Sequence, residues 1–99
     1  MPQYVVIAYD GTDAGALDRR MAVRQAHLAN VAPMVESGQL KAGGAILDDA
    51  GKMIGSVSIL DFPDRAALDH WLANDPYVTG KVWQKIEVKP FRLAVMAAK

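Results

Sequence analysis

The run Tyr4-Val5-Val6-Ile7-Ala8-Tyr9 has no charged or amide side chain at any position. Its β-branched and aromatic content predicts a strand, closed by the turn formers Asp10-Gly11-Thr12-Asp13. Side chains alternate across a strand, so Tyr4, Val6 and Ala8 face one side and Val5, Ile7 and Tyr9 the other. A strand that is apolar on both sides belongs inside a sheet covered on both faces. A chain of 99 residues has room for one domain, spanning 1–99, and hence for one layer of helices. The other face then needs a second subunit, and an apolar fraction of 52% points the same way. A homodimer built sheet to sheet is the expectation.

The period of the pattern changes along the chain. From Ala16, Leu17, Met21, Leu28, Val31 and Val35 fall at helical spacing, with Arg24 in the one gap of seven. This predicts a helix from about Leu17 to Ser37, closed by Gly38, with Pro33 kinking or ending it early. Gln39 to Leu47 reads as a second strand weakened at Gly43-Gly44, where a bulge or a close approach by another group is expected. Asp48-Asp49-Ala50-Gly51 makes a turn into a third strand, Met53 to Phe62, in which Ser56 and Ser58 alternate with Val57 and Ile59. Asp64 caps a second helix to Asn74 with Leu68, Trp71 and Leu72 on its buried stripe. Val82 to Val88 is a last strand, interrupted by Pro90 before an apolar tail from Phe91 to Met96. The order βαββαβ is that of an α+β, ferredoxin-like subunit, with two helices on one face of a four-stranded antiparallel sheet.

Composition removes several function classes. Without cysteine there is no disulfide framework, thiolate metal site or cysteine nucleophile. Eleven Lys and Arg balance eleven Asp and Glu, so no basic footprint for nucleic acid is present. No apolar run approaches the eighteen or so residues of a membrane span, and Met1 to Asp10 has neither the basic start nor the cleavage site of a secretory signal, which makes the cytoplasm the expected location. Phosphate loops, nucleophile elbows and paired metal-ligand histidines are also missing, so no metal and no cofactor are expected.

Arg20, Arg24 and His27 recur at spacings of four and three and share one side of the first helix, bordering its apolar stripe. Arg24 sits nearly inside that stripe, where a charge needs either an internal Asp partner, a route to the rim or an anionic ligand. His27 is at the edge of the buried face, whereas His70 lies about 200° round its helix from Leu68 and faces solvent. Asp75-Pro76 is the usual opening of a short helix, with Asp as cap. The same carboxylate could instead fix the tautomer of His27 and support its charged form. Residue spacing leaves both readings open.

Four segments together are similar to the YCII-related (YciI-like) family of the dimeric α/β-barrel superfamily: Tyr4-Val5-Val6, the helix from Arg20 through Arg24 to His27-Leu28, Asn74-Asp75-Pro76-Tyr77-Val78, and Val88-Lys89-Pro90-Phe91. The resemblance implies a ferredoxin-like subunit that pairs through its sheet. It also implies an active-centre pair at His27 and Asp75, a substrate-binding arginine at Arg24, and cleft positions at Gly44 and Ser56. Gln25 stands where many relatives have proline. One relative in chloroaromatic degradation eliminates chloride, and neighbouring families isomerise lactones or oxidise quinols without a metal. The resemblance therefore implies a cofactor-independent lyase or isomerase acting on a small anionic or aromatic molecule. The competing reading is a binding or dimerisation module in which Arg24, His27 and Asp75 form a structural network.

Overall fold

A computed structural model describes residues 1–97. Its elements are β1 (Gln3–Asp10), α1 (Ala16–Ser37), β2 (Leu40–Leu47), β3 (Met53–Asp61), α2 (Arg65–Asn74), α3 (Pro76–Thr79) and β4 (Trp83–Phe91). The sheet order is β2-β3-β1-β4 with every neighbouring pair antiparallel, which is the ferredoxin-like arrangement. β1, the strand with apolar residues on both faces, is a central strand.

Tyr4, Val6 and Ala8 of β1 are buried with Leu60, Phe62, Leu68, Leu72 and Met34 in one core between sheet and helices. Leu60 and Leu68 are completely enclosed, and each such side chain contributes about 1.5–3 kcal/mol on leaving water. Along β3 the serines face this layer. Ser56 and Ser58 pair with Ala8 and Val6, whereas Val57 and Ile59 pair with Ile7 and Val5 on the opposite face. Those four apolar residues are only half-buried, and Tyr9 beside them is exposed. The sheet thus turns hydroxyls toward the helices and aliphatic groups toward its open side.

Local signals explain the element ends. Asp64 accepts the N–H of Ala67 at 2.8 Å and caps α2. In the β2–β3 turn Asp48 accepts from the N–H groups of Ala50 and Lys52, both at 2.9 Å. Gly38, with φ of 82°, closes α1 in the left-handed form and donates to the carbonyl of Val35.

Four expectations need correction. α1 passes through Pro33 to Ser37, because losing one backbone donor is tolerable in a helix packed along its length. β4 likewise runs through Pro90, since it is an edge strand where proline is tolerated. The irregularities of β2 fall between Leu40 and Ala42 and between Ile46 and Leu47, not at Gly43-Gly44. Finally, the apolar stripe of α1 is displaced. Met21, Leu28 and Val35 are 40–56% exposed, while Ala16, Arg20, Val31 and Met34 are buried. The helix is rotated toward its polar residues because these meet partners inside, so hydrophobicity alone misplaces its packed face.

Candidate active site

Asp75 joins α2 to α3 and is wholly enclosed. As cap of α3 its carboxylate accepts the N–H of Tyr77 at 2.9 Å, with Pro76 at the first helical position. It also accepts from Nδ2 of Asn30 at 3.0 Å, and Nδ1 of His27 lies 3.1 and 2.9 Å from its two oxygens. One carboxylate thus caps α3 and lies against His27 at the same time. Asn30 and the Tyr77 N–H both donate to this carboxylate, and a proton on Nδ1 of His27 would give it a third bond. The hydrogen bonds of the His27 ring among the described residues are both at Nδ1, and the residue lines a cavity of about 390 Å³.

Gly80 permits this docking. A Cβ there would lie 2.7 Å from the carbonyl of Pro76 in α3 itself and 3.2 Å from Val23 of α1, so a side chain would distort the end of α3 and crowd its contact with α1. With α3 in place, the Tyr77 ring stacks on the His27 imidazole at 3.9 Å and 14°. Trp83 meets the same imidazole edge-on at 5.8 Å. Burial pushes the Tyr77 phenol above its ordinary range, an effect partly offset by the positive charges of Arg20 and Arg24.

Arg20 makes the internal ion pair that Arg24 was a candidate for. Its Nη1 lies 3.0 and 3.1 Å from the carboxylate oxygens of Asp10, with both side chains at most 4% exposed. Nη2 donates to Ser56 Oγ at 2.8 Å, and the guanidinium carbon lies 4.8 Å from the Tyr77 ring centre. Arg20 and Asp10 were missed as site residues, although signals existed. Arg20 is seven residues, or two turns, before His27 on one helix face, and Asp10 follows Ala8 on the buried side of β1.

Arg24 is half-buried, lines the cavity and has no carboxylate within 4 Å among the described residues. Ser56 is buried at the cavity wall, where it accepts from Arg20 and from Trp83 Nε1 at 3.3 Å. Gly44 contributes backbone to the wall, but a Cβ on it would meet nothing within 4 Å. A Cβ on Gly43 would lie in ordinary contact with Ser58, 3.6 Å from its Oγ. Four of the five expected positions, Arg24, His27, Gly44 and Ser56, line one cavity with Leu28, Val31 and Leu40 on its apolar side, and the enclosed Asp75 stands behind His27. No group of three His, Cys, Asp or Glu side chains suited to a metal occurs among the described residues.

The YCII-related domain model matches residues 2–92. The chain belongs to the YCII-related family. This YCII-related chain is 35% identical over 95 residues to protein YciI of Escherichia coli, covering 90% of the chain and 95% of the relative. It is 34% identical to an uncharacterised protein of Haemophilus influenzae over the same shares. Among solved structures it is similar to the 5-chloro-2-hydroxyhydroquinone dehydrochlorinase of Burkholderia phenoliruptrix, solved with 2,5-dihydroxybenzoquinone. That match has a TM-score of 0.80 and 22% identity over 93% of this chain and 95% of the other. A dimeric ferredoxin-like protein of unknown function from Jannaschia matches with a TM-score of 0.53 and 18% identity over 94% and 100%. These likenesses confirm the subunit fold of the YCII-related chain. No helix among its described residues is long and apolar enough to cross a membrane.

Proposed function

We propose that this YCII-related protein is an acid–base enzyme of lyase or isomerase type, acting as a cytoplasmic homodimer on a small anionic or aromatic molecule. The observation that carries the reading is the orientation of His27: Nδ1 is tied to the enclosed Asp75 carboxylate, which leaves Nε2 as a free base at the cavity. Nε2 takes a proton from a substrate C–H or O–H, and the bonding electrons move onto a conjugated oxygen. In an elimination the electrons return to expel a leaving group, and the proton passes to solvent. In an isomerisation the imidazolium returns the proton to a different carbon. Asp75 stabilises the imidazolium, Arg24 holds the developing anion, and Ser56 and the backbone at Gly44 line the substrate's position.

The dehydrochlorinase similarity supports elimination as the first chemistry to try. A panel of small hydroxylated aromatics and keto acids, 5-chloro-2-hydroxyhydroquinone included, is incubated in deuterium oxide and followed by NMR for exchange or elimination. At least one compound is expected to react, with His27→Gln slowing it about 10²–10⁴-fold. An inert panel together with large stability losses in both His27→Gln and Asp75→Asn would instead support the binding module, a reading favoured by the three donors that Asp75 already satisfies.

The dimer is proposed on the open sheet face, where Val5, Ile7, Val57 and Ile59 are half-buried in one subunit. Sedimentation is expected to give a dimer at micromolar concentration, with an interface above roughly 1,000 Å². A monomer contradicts it.

A further inference from the structure

The Ser56 hydroxyl is unusual in what it has left to offer. A serine oxygen has two lone pairs and one hydrogen. Arg20 Nη2 donates to it at 2.8 Å and Trp83 Nε1 at 3.3 Å, so both lone pairs are engaged. No acceptor for its own hydrogen occurs among the described residues, although the side chain sits at the cavity wall. A hydroxyl that accepts from a guanidinium and an indole is polarised toward donation, because each bond in such a chain strengthens the next. It can serve a ligand only as a donor.

The charges around the cavity point to the same kind of ligand. Arg20 is neutralised by Asp10 at 3.0 Å, and Lys41 is paired with Asp61 at 3.4 Å. Arg24 is the cavity cation without a carboxylate partner among the described residues. With Asp75 ionised and His27 neutral, the wall has no net charge, since Arg20 and Arg24 balance Asp10 and Asp75. Once His27 has taken a proton, the wall carries a single positive charge that one anionic oxygen would balance. A neutral acid that loses its proton inside the cavity therefore leaves the pair balanced throughout. A dianion would remain uncompensated in surroundings whose other side is Leu28, Val31 and Leu40.

We infer that the cavity recognises a small carbon acid or phenol as its conjugate oxyanion, a phenolate or enolate, with the Ser56 hydroxyl donating to the charged oxygen and Arg24 matching its charge. Arg20, Asp10 and Trp83 act as positioning residues that hold Ser56 in its donor orientation. This rests on the proposed acid–base reading only for the proton's destination at His27.

The test uses 4-nitrophenol, whose ionised form absorbs in the visible, and nitrobenzene, which has the ring but no hydroxyl. Above the phenol's pKa, the wild-type protein is expected to bind the phenolate together with one proton from solvent, so that the charge of the wall stays matched. Ser56→Ala is expected to weaken phenolate binding roughly tenfold, the usual effect of one hydrogen bond to a charged group, while leaving nitrobenzene binding intact. Where Ser56→Ala loses nitrobenzene binding as well, Ser56→Cys, a weaker donor of similar shape, is read in its place with an intermediate loss expected. Phenolate affinity unchanged in a variant that still binds nitrobenzene overturns the inference, as does a wild type that binds nitrobenzene but no phenolate. Below the phenol's pKa, binding should raise the phenolate band as His27 accepts the proton. Loss of that rise alone, with phenolate binding intact at high pH, upholds the oxyanion site and counts against His27 as the base.

Discussion

Two carboxylates meet the same face of α1 two turns apart, and they are held differently. Asp10 is paired with Arg20, both side chains nearly sealed from solvent, and the partner cannot lose its charge at any ordinary pH. Asp75 is equally enclosed, but its partner His27 is 15% exposed and is an imidazole, a group able both to accept and to return a proton. The sealed pair can only position and polarise. The open pair can exchange a proton with something in the cavity. Tyr77 touches both, stacked on His27 and 4.8 Å from the Arg20 guanidinium, and so couples their positions.

The sharpest way to break this contrast is to remove Asp10. Stranding Arg20 in the interior should lower stability by about 3–5 kcal/mol in Asp10→Ala, read by urea denaturation. Replacing both partners together, Asp10→Leu with Arg20→Met, should restore most of that loss, because a buried pair contributes little net stability against apolar side chains of similar size. A smaller effect follows at the open pair. His27→Gln removes one hydrogen bond to a carboxylate that keeps two other donors, so a loss of about 1.5–3 kcal/mol is the ceiling. Equal losses at the two pairs would erase the distinction drawn between them.

Tyr77 supplies the next effect, through pH. Burial raises its phenol above the ordinary value, so the folded state binds the proton more tightly than the unfolded state does. Its contribution is complete below the ordinary tyrosine range of about 10 and is lost as pH rises through the folded value. Tyr77→Phe should flatten that alkaline fall in melting temperature while leaving the neutral-pH fold in place. The smallest effect is expected at the exposed end of α1. Arg19 holds the Asp13 carboxyl well below the usual carboxylate range through two bonds of 2.7 Å. That contribution is present above the ordinary range and fades only in strong acid. Solvent screens the pair, so Asp13→Asn should leave the neutral-pH denaturation midpoint unchanged within error.

Much of this arrangement was legible in residue order. Alternation along Tyr4 to Tyr9 showed a strand that is apolar on both faces, and the Asp64 and Asp75-Pro76 caps marked where helices begin. Of the positions that family resemblance implies, His27, Arg24, Gly44 and Ser56 line one cavity, and Asp75 lies behind His27. The rotation of α1 was not legible, because its polar residues go inward wherever a distant chain segment supplies a partner. Arg20 is buried only because Asp10 and Ser56, 10 and 36 residues away in sequence, lie opposite it. Nor could periodicity say that Ser56 and Ser58 face the helices, since alternation states which residues share a side and not which side is covered.

The central claim is that Asp75 orients His27 so that its free nitrogen is Nε2. Nitrogen-15 NMR of the His27 ring, titrated through neutral pH, tests it most directly. The account predicts that in the neutral imidazole the proton resides on Nδ1 and Nε2 is bare, and that Asp75→Asn weakens this preference while retaining the cap of α3. A neutral His27 protonated at Nε2, or one with the two tautomers equally populated in the wild-type protein, would contradict it.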